Sequence, residues 1–174
     1  MQELVVLVDQ NDKEIGVEEK LKAHQKGKLH RAFSIFIFNS QKQFLLQRRS
    51  LSKYHSAGLW TNTCCSHPRP QEEILASAHR RLKEEMGFDC ELKEIFSFIY
   101  KVDFNNGLIE NELDHVFIGH HDQNPIPNTD EVDSYKWLDL TSLSESMKNN
   151  PELYSEWLKI CYKKVLKYQN ENAN

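Results

Sequence analysis

Glu72-Glu73-Ile74-Leu75-Ala76-Ser77-Ala78-His79-Arg80-Arg81-Leu82-Lys83-Glu84-Glu85-Met86-Gly87 carries the clearest helical pattern in the chain. Leu75, Ala78, Leu82 and Met86 recur three or four apart, which lays an apolar stripe along a helix over 72–86. Gly87 then supplies the left-handed backbone that a helix C-cap favours. Arg80 with Glu84 and Arg81 with Glu85 stand four apart. Such pairs fit a solvated face, at about 0.2–0.5 kcal/mol each, as well as a cluster built for chemistry.

Upstream, Trp60-Thr61-Asn62-Thr63-Cys64-Cys65-Ser66-His67-Pro68 is strand-like, and the turn Pro68-Arg69-Pro70 feeds the helix. Residues two apart share a face of a strand, so Cys65 and His67 point together with Thr63, while Cys64 points away with Trp60 and Asn62. Cys65 is therefore the better candidate for reactivity, although a buried thiol beside a turn histidine would read the same way in isolation.

Further outward, 4–8 reads as a strand, 18–25 as a short helix, and 31–38 with 44–48 as a hairpin around the polar turn 39–42. Residues 50–58 form a loop. Strands are expected at 92–102, 108–120 and 132–138, with an irregular connection where Pro125 and Pro127 interrupt the chain. Pro151 suits the first turn of a C-terminal helix over about 151–168, with Leu153, Trp157, Ile160, Cys161 and Val165 along one face. Strands, one helix, more strands and terminal helices imply an α+β fold, an α/β sandwich with a mixed sheet and flanking helices, in a single domain over 1–174.

The 174 residues carry 22 basic and 26 acidic side chains, a net charge of −4, which argues against a broad cationic face and so against a nucleic-acid partner. No apolar run approaches the roughly 20 residues that span a bilayer. Four cysteines with no C-x-x-C pair, behind an N-terminus without signal-peptide character, lead us to expect reduced thiols, a cytoplasmic location and no membrane association.

Glu110 and Glu112 stand two apart in a predicted strand and share a face. With His24, His30 and His67 they make a borderline donor set suited to zinc, manganese or iron.

The helix resembles the second half of a Nudix box, G-x5-E-x7-R-E-U-x-E-E-x-G-U with U apolar, although Ser66 replaces the first glycine and Arg81 a glutamate. Losing that carboxylate should weaken a hydrolytic multi-metal site. Six anchors in order then make the chain similar to the type I isopentenyl-diphosphate isomerases, which share the Nudix fold. They are 20–24, 29–34, 48–53, 60–68, 80–87 and 107–112. The resemblance implies a small isoprenoid diphosphate as substrate and a monomer or weak dimer. It assigns Cys65 and Glu112 as the catalytic pair, assisted by Tyr100. His24, His30, His67, Glu110 and Glu112 would hold one Mn2+ or Zn2+, and Glu85 would hold Mg2+ with the diphosphate. Lys20, Arg49, Lys53 and Arg81 would meet the phosphates, and Trp157 the isoprenoid tail. Without the resemblance, Trp157 reads equally as core and Tyr100 as an ordinary strand aromatic. His55, His79, His115, His120 and His121 match no family position and are expected to be structural or superficial. The alternative is a Nudix hydrolase of a nucleoside diphosphate derivative.

Overall fold

The computed structural model describes residues 3–53 and 55–172; Tyr54 and the outermost residues of the expected domain lie outside them. In chain order the elements are β1 (Leu4–Val8), β2 (Glu14–Glu19), α1 (Lys20–Lys26), β3 (His30–Phe38), β4 (Gln43–Arg49), β5 (Trp60–Thr61), β6 (Cys64–Ser66), α2 (Ile74–Met86), β7 (Leu92–Asp103), β8 (Ile109–His120), β9 (Val132–Asp139) and α3 (Leu140–Asn149). A 3-10 turn at Pro151–Leu153 then leads into α4 (Glu156–Asn172).

Strand β3 is the hub, and its nearly unbroken apolar run is what a strand covered on both faces requires. It runs parallel to β8 from His30↔Glu112 to Phe38↔His120, and antiparallel to β6. Phe33, Ile35 and Ile37 face one way and pack with Leu45, Cys64 and Phe117 against Ala78, Leu82 and Met86 of α2. Phe36 and Phe38 face the other way and pack with Phe44, Leu46 and Val116 against Leu143 of α3 and Leu158, Cys161 and Val165 of α4. The result is the expected α+β sandwich, a mixed sheet with helices on both faces.

One irregularity positions the site. Strands β3 and β4 pair only at Phe38↔Phe44 and then diverge, β3 taking β6 and β4 taking β5 as partners. Thr63 fills the gap: its hydroxyl donates to the Leu45 carbonyl at 2.6 Å and accepts from the Ile37 amide at 3.1 Å. The Asn62 amide donates to the carbonyls of Ile35, at 3.3 Å, and Cys64, at 2.7 Å. These buried side chains satisfy backbone groups that a continuous ladder would have paired. The expected strand is accordingly broken at 62–63, and Thr63 does not share the open face with Cys65.

Two further expectations are corrected. Helix α2 begins at Ile74, because Glu72 turns back to accept from the Arg69 amide and the Arg80 guanidinium. Pro151 opens the 3-10 turn, so Leu153 lies off α4 and is exposed, while Trp157, Cys161 and Val165 of α4 are buried. Strand β2 and helix α3 were not anticipated. No helix among the described residues is long and apolar enough to cross a membrane.

Candidate active site

Paired residues in neighbouring strands project from the same side of a sheet. The pairs Ser34↔Cys65, Ala32↔Asp114, His30↔Glu112 and Tyr100↔Glu112 therefore bring Cys65, His30, Glu112 and Tyr100 to one face of the sheet, the face that α4 covers. Cys64 goes to the opposite face and is fully buried against α2. Cys65, His67, Tyr100, Glu110, Glu112 and Trp157 line a single cavity, together with Lys20, Arg49, Lys53, Arg81 and Glu85. His24 and His30 stand in the cluster at its floor.

Each imidazole of that floor is aimed by a backbone contact or a carboxylate. His24 Nδ1 lies 2.7 Å from the Lys20 carbonyl, and His30 Nδ1 lies 2.8 Å from the Lys28 carbonyl. A carbonyl can only accept, so both rings carry a proton on Nδ1 and turn Nε2 toward the cluster. Helix α1 delivers His24 and ends at Gly27, whose φ of 59° turns the chain back toward β3. His24 Nε2 stands 3.2 Å from Glu110 Oε2, and His30 Nε2 and His67 Nε2 stand 3.5 and 2.8 Å from Glu112 Oε1. One ligand-capable atom from each of His24, His30, His67 and Glu112 lies within 4.8 Å of all the others. His24 Nε2, His30 Nε2 and Glu110 Oε2 are buried and have no hydrogen-bonding partner. Buried polar atoms are rarely left so, and three that converge with mixed nitrogen and oxygen character fit a divalent cation of the zinc or manganese type.

Burial acts to lower the His24 imidazole, but the Glu110 carboxylate beside it outweighs burial and raises it above its ordinary value. Burial pushes the Glu110 carboxyl up to about 7, and the neighbouring Glu112 charge adds to the shift. Burial acts in the same sense on Glu112, but the His30 and His67 imidazoles beside it outweigh burial and leave this carboxyl well below its usual range. Burial lowers His67 to about 4, leaving a neutral imidazole of the kind a metal binds. On the same face, the Tyr100 hydroxyl donates to Glu112 Oε2 at 2.5 Å, and burial together with the Glu112 charge keeps the phenol protonated. Burial raises the Cys65 thiol to about 12 despite the Arg49 charge nearby, so it holds its proton.

At the other end of the cavity, Arg81 donates to Glu84 at 2.7 Å and Glu85 at 2.5 Å and lies 3.3 Å from Glu131, which also pairs with Lys53. Gln47 donates to Glu85 Oε2 at 2.9 Å. The Nε atoms of Arg49 and Arg81 are buried and unpartnered. The Arg49 guanidinium also stacks 5.2 Å above the Trp157 ring. Guanidinium forks beside a lysine suit an oxyanion such as a phosphate.

Every residue named from the sequence thus falls in one neighbourhood. Three were missed. Glu131 lies just beyond the proline-containing connection, whose amides at Ile126 and Asn128 donate to the Met86 and Glu85 carbonyls and so dock it on the end of α2. Asp114 continues the Glu110-Glu112 alternation by one step and accepts from the Ser34 hydroxyl at 2.9 Å. His55, expected to be structural or superficial, lines the cavity with its Nε2 3.5 Å from Glu110 Oε1. Of the other four, His115 is buried between Asp12 and Glu94 and serves as a structural clamp.

A NUDIX domain model matches residues 28–158. An isopentenyl-diphosphate Delta-isomerase 2 of Aromatoleum aromaticum is 54% identical over 99% of this chain and 92% of its own length. An enzyme of the same name from Photorhabdus laumondii is 57% identical over 91% of this chain and 90% of its own. Among solved structures, a Deinococcus radiodurans protein superposes with a TM-score of 0.79 at 20% identity, covering 93% of this chain and 98% of the other. A MutT protein of Methanosarcina mazei gives 0.67 at 19% identity, over 84% and 96% of the two chains.

Proposed function

The chain belongs to the isopentenyl-diphosphate Delta-isomerase family of the Nudix fold, and from that membership we propose that it interconverts isopentenyl and dimethylallyl diphosphate at the cavity described above. The observation that carries the reading is the convergence of three imidazoles and two carboxylates on the sheet face that also bears Cys65 and Tyr100.

Moving the double bond requires a proton added at the terminal methylene and another removed from C2, by way of a tertiary cation, so the site must hold one proton ready and one vacancy for a proton. Cys65 carries its proton on Sγ, and Glu112 has an ionised carboxylate steadied by Tyr100. That pair meets the requirement in either direction, with the two roles exchanged. His24, His30, His67, Glu110 and Glu112 would hold Mn2+ or Zn2+. When bound, the ion supplies a fixed positive charge that orients Glu112 and tunes its acidity.

Arg49, Lys53 and Arg81, with Lys20, would receive the diphosphate, and Glu85 would share its Mg2+; all five line the cavity. Trp157 lines the cavity from α4, and an indole π face turned to the developing cation would contribute about 2 kcal/mol once water is excluded. It also helps keep out water that would trap the cation. Arg81, tied to three carboxylates, stands where the hydrolase pattern has a glutamate, which disfavours hydrolysis. In this reading the enzyme is cytoplasmic and works as a monomer or weak dimer, without nucleic acid or membrane, in keeping with its free thiols. Stripping the protein with a chelator should abolish isomerisation, and Mn2+ or Zn2+ with Mg2+ should restore it. Full activity in metal-free protein would refute the reading.

A further inference from the structure

His55 sits in the loop between β4 and β5, and that loop is tied down at both ends. The Arg49 amide donates to the Leu59 carbonyl at 2.9 Å, the Gly58 amide to the Arg49 carbonyl at 3.1 Å, and the Arg49 guanidinium to the carbonyl of His55 itself at 3.2 Å. The imidazole is stacked on Phe104 and lies edge-on to Trp157, with ring centroids 5.7 and 6.0 Å away. Only 9% of the side chain is exposed. Its Nδ1 lies 3.4 Å from the Ser56 hydroxyl, which leaves Nε2 as the atom that meets Glu110 Oε1, at 3.5 Å.

The rings of His24 and His55 are 6.2 Å apart, close to the 5.8 Å between His24 and His67. Ligand-capable atoms of His24, His55 and Glu110 lie within 4.8 Å of one another, just as those of His24, His30, His67 and Glu112 do. The two groups share His24. Its Nδ1 is committed to the Lys20 carbonyl, and the single lone pair on Nε2 can serve only one ion. They therefore describe one centre seen from two sides, with the two oxygens of Glu110 facing His24 and His55 respectively.

We propose that His55 is a further ligand of the divalent ion in this chain, a fourth imidazole on the Glu110 side of the centre. The inference rests on the metal reading given above, and it adds nitrogen to a set that already suits borderline metals, moving preference further from the hard, oxygen-seeking cations.

The test uses the full chain stripped of metal and reloaded with Mn2+ for pulsed EPR, which counts coupled ring nitrogens, and with Zn2+ for competition against a chelator. His55→Ala should lose one nitrogen coupling and bind Zn2+ at least about tenfold more weakly. His55→Gln keeps the bulk of the side chain and the loop packing, and should lose the same coupling. If both variants keep the wild-type nitrogen count and Zn2+ affinity and show only a raised KM, His55 is a wall of the isoprenoid pocket and the proposal is wrong. Wild-type protein that binds neither ion would overturn the metal reading as well. An intact four-nitrogen signal in a protein that does not isomerise would support His55 as a ligand and sink only the proposed activity.

Discussion

Adjacent thiols on opposite faces of one short strand should behave as two different residues when each is cut back to alanine. Cys64 is fully buried among Phe33, Ile35, Leu45 and Leu82, so Cys64→Ala removes one heavy atom from a packed core. The lost transfer energy is about 0.8 kcal/mol, and the void left behind brings the cost to about 1–2 kcal/mol. For a chain of this size each kcal/mol lowers Tm by about 2–4 °C, so the expected shift is about 2–8 °C with turnover kept. Cys65 lies on the cavity face, and Cys65→Ala removes a group that carries a transferable proton. The expected loss is about 10²–10⁴-fold in kcat, or more, with Tm nearly unchanged. Thermal unfolding and an NMR assay of dimethylallyl diphosphate formation, run on both variants, separate the two effects. An inactive Cys64→Ala beside an active Cys65→Ala would refute the face assignment and the chemistry built on it.

Tyr100→Phe removes a charge-assisted bond to Glu112 worth about 1.5–3 kcal/mol, so kcat should fall roughly ten- to hundredfold while KM, read in the same assay, stays within about twofold. Glu110 in the metal-free protein has a carboxyl raised from 4.5 to about 7, so the stability gained by its protonated form is full below about 4.5 and lost as pH rises through about 7. Urea titrations of metal-free protein from pH 5 to 8 should show that Glu110→Gln removes a decline of up to about 3 kcal/mol, and an unchanged slope would dismiss Glu110 as its source. Arg81→Gln should weaken binding of inorganic pyrophosphate by at least about tenfold in calorimetry, because a guanidinium aimed at the cavity is lost. Unaltered affinity would remove Arg81 from the phosphate end.

Periodicity was enough for the body of α2, for β3 and β8 as separate strands and for the contrast between Cys64 and Cys65, because in each a repeating apolar pattern faces a packed layer; that β3 pairs with β8 rather than forming the expected hairpin with β4 was not legible in it. It failed where no such layer selects the residues. Strand β2 has the charged sequence Glu-Ile-Gly-Val-Glu-Glu and lies at the sheet edge, half exposed. Helix α3 buries only Leu143 and is N-capped by Asp139, whose side chain accepts from the Ser142 amide. The break at Asn62-Thr63 depends on where β3 and β4 part, a tertiary fact that alternation along one strand cannot encode. His55 escaped notice for the same reason: a loop has no period to say where a ring will point, and its aim comes from Arg49 and Phe104.

The most direct test of the central claim is to incubate the metal-loaded protein with isopentenyl diphosphate in D2O and follow proton and phosphorus NMR in one sample. The account predicts dimethylallyl diphosphate carrying solvent deuterium, with both phosphates intact. Release of phosphate, or an unchanged substrate in protein whose metal content has been confirmed, would contradict it.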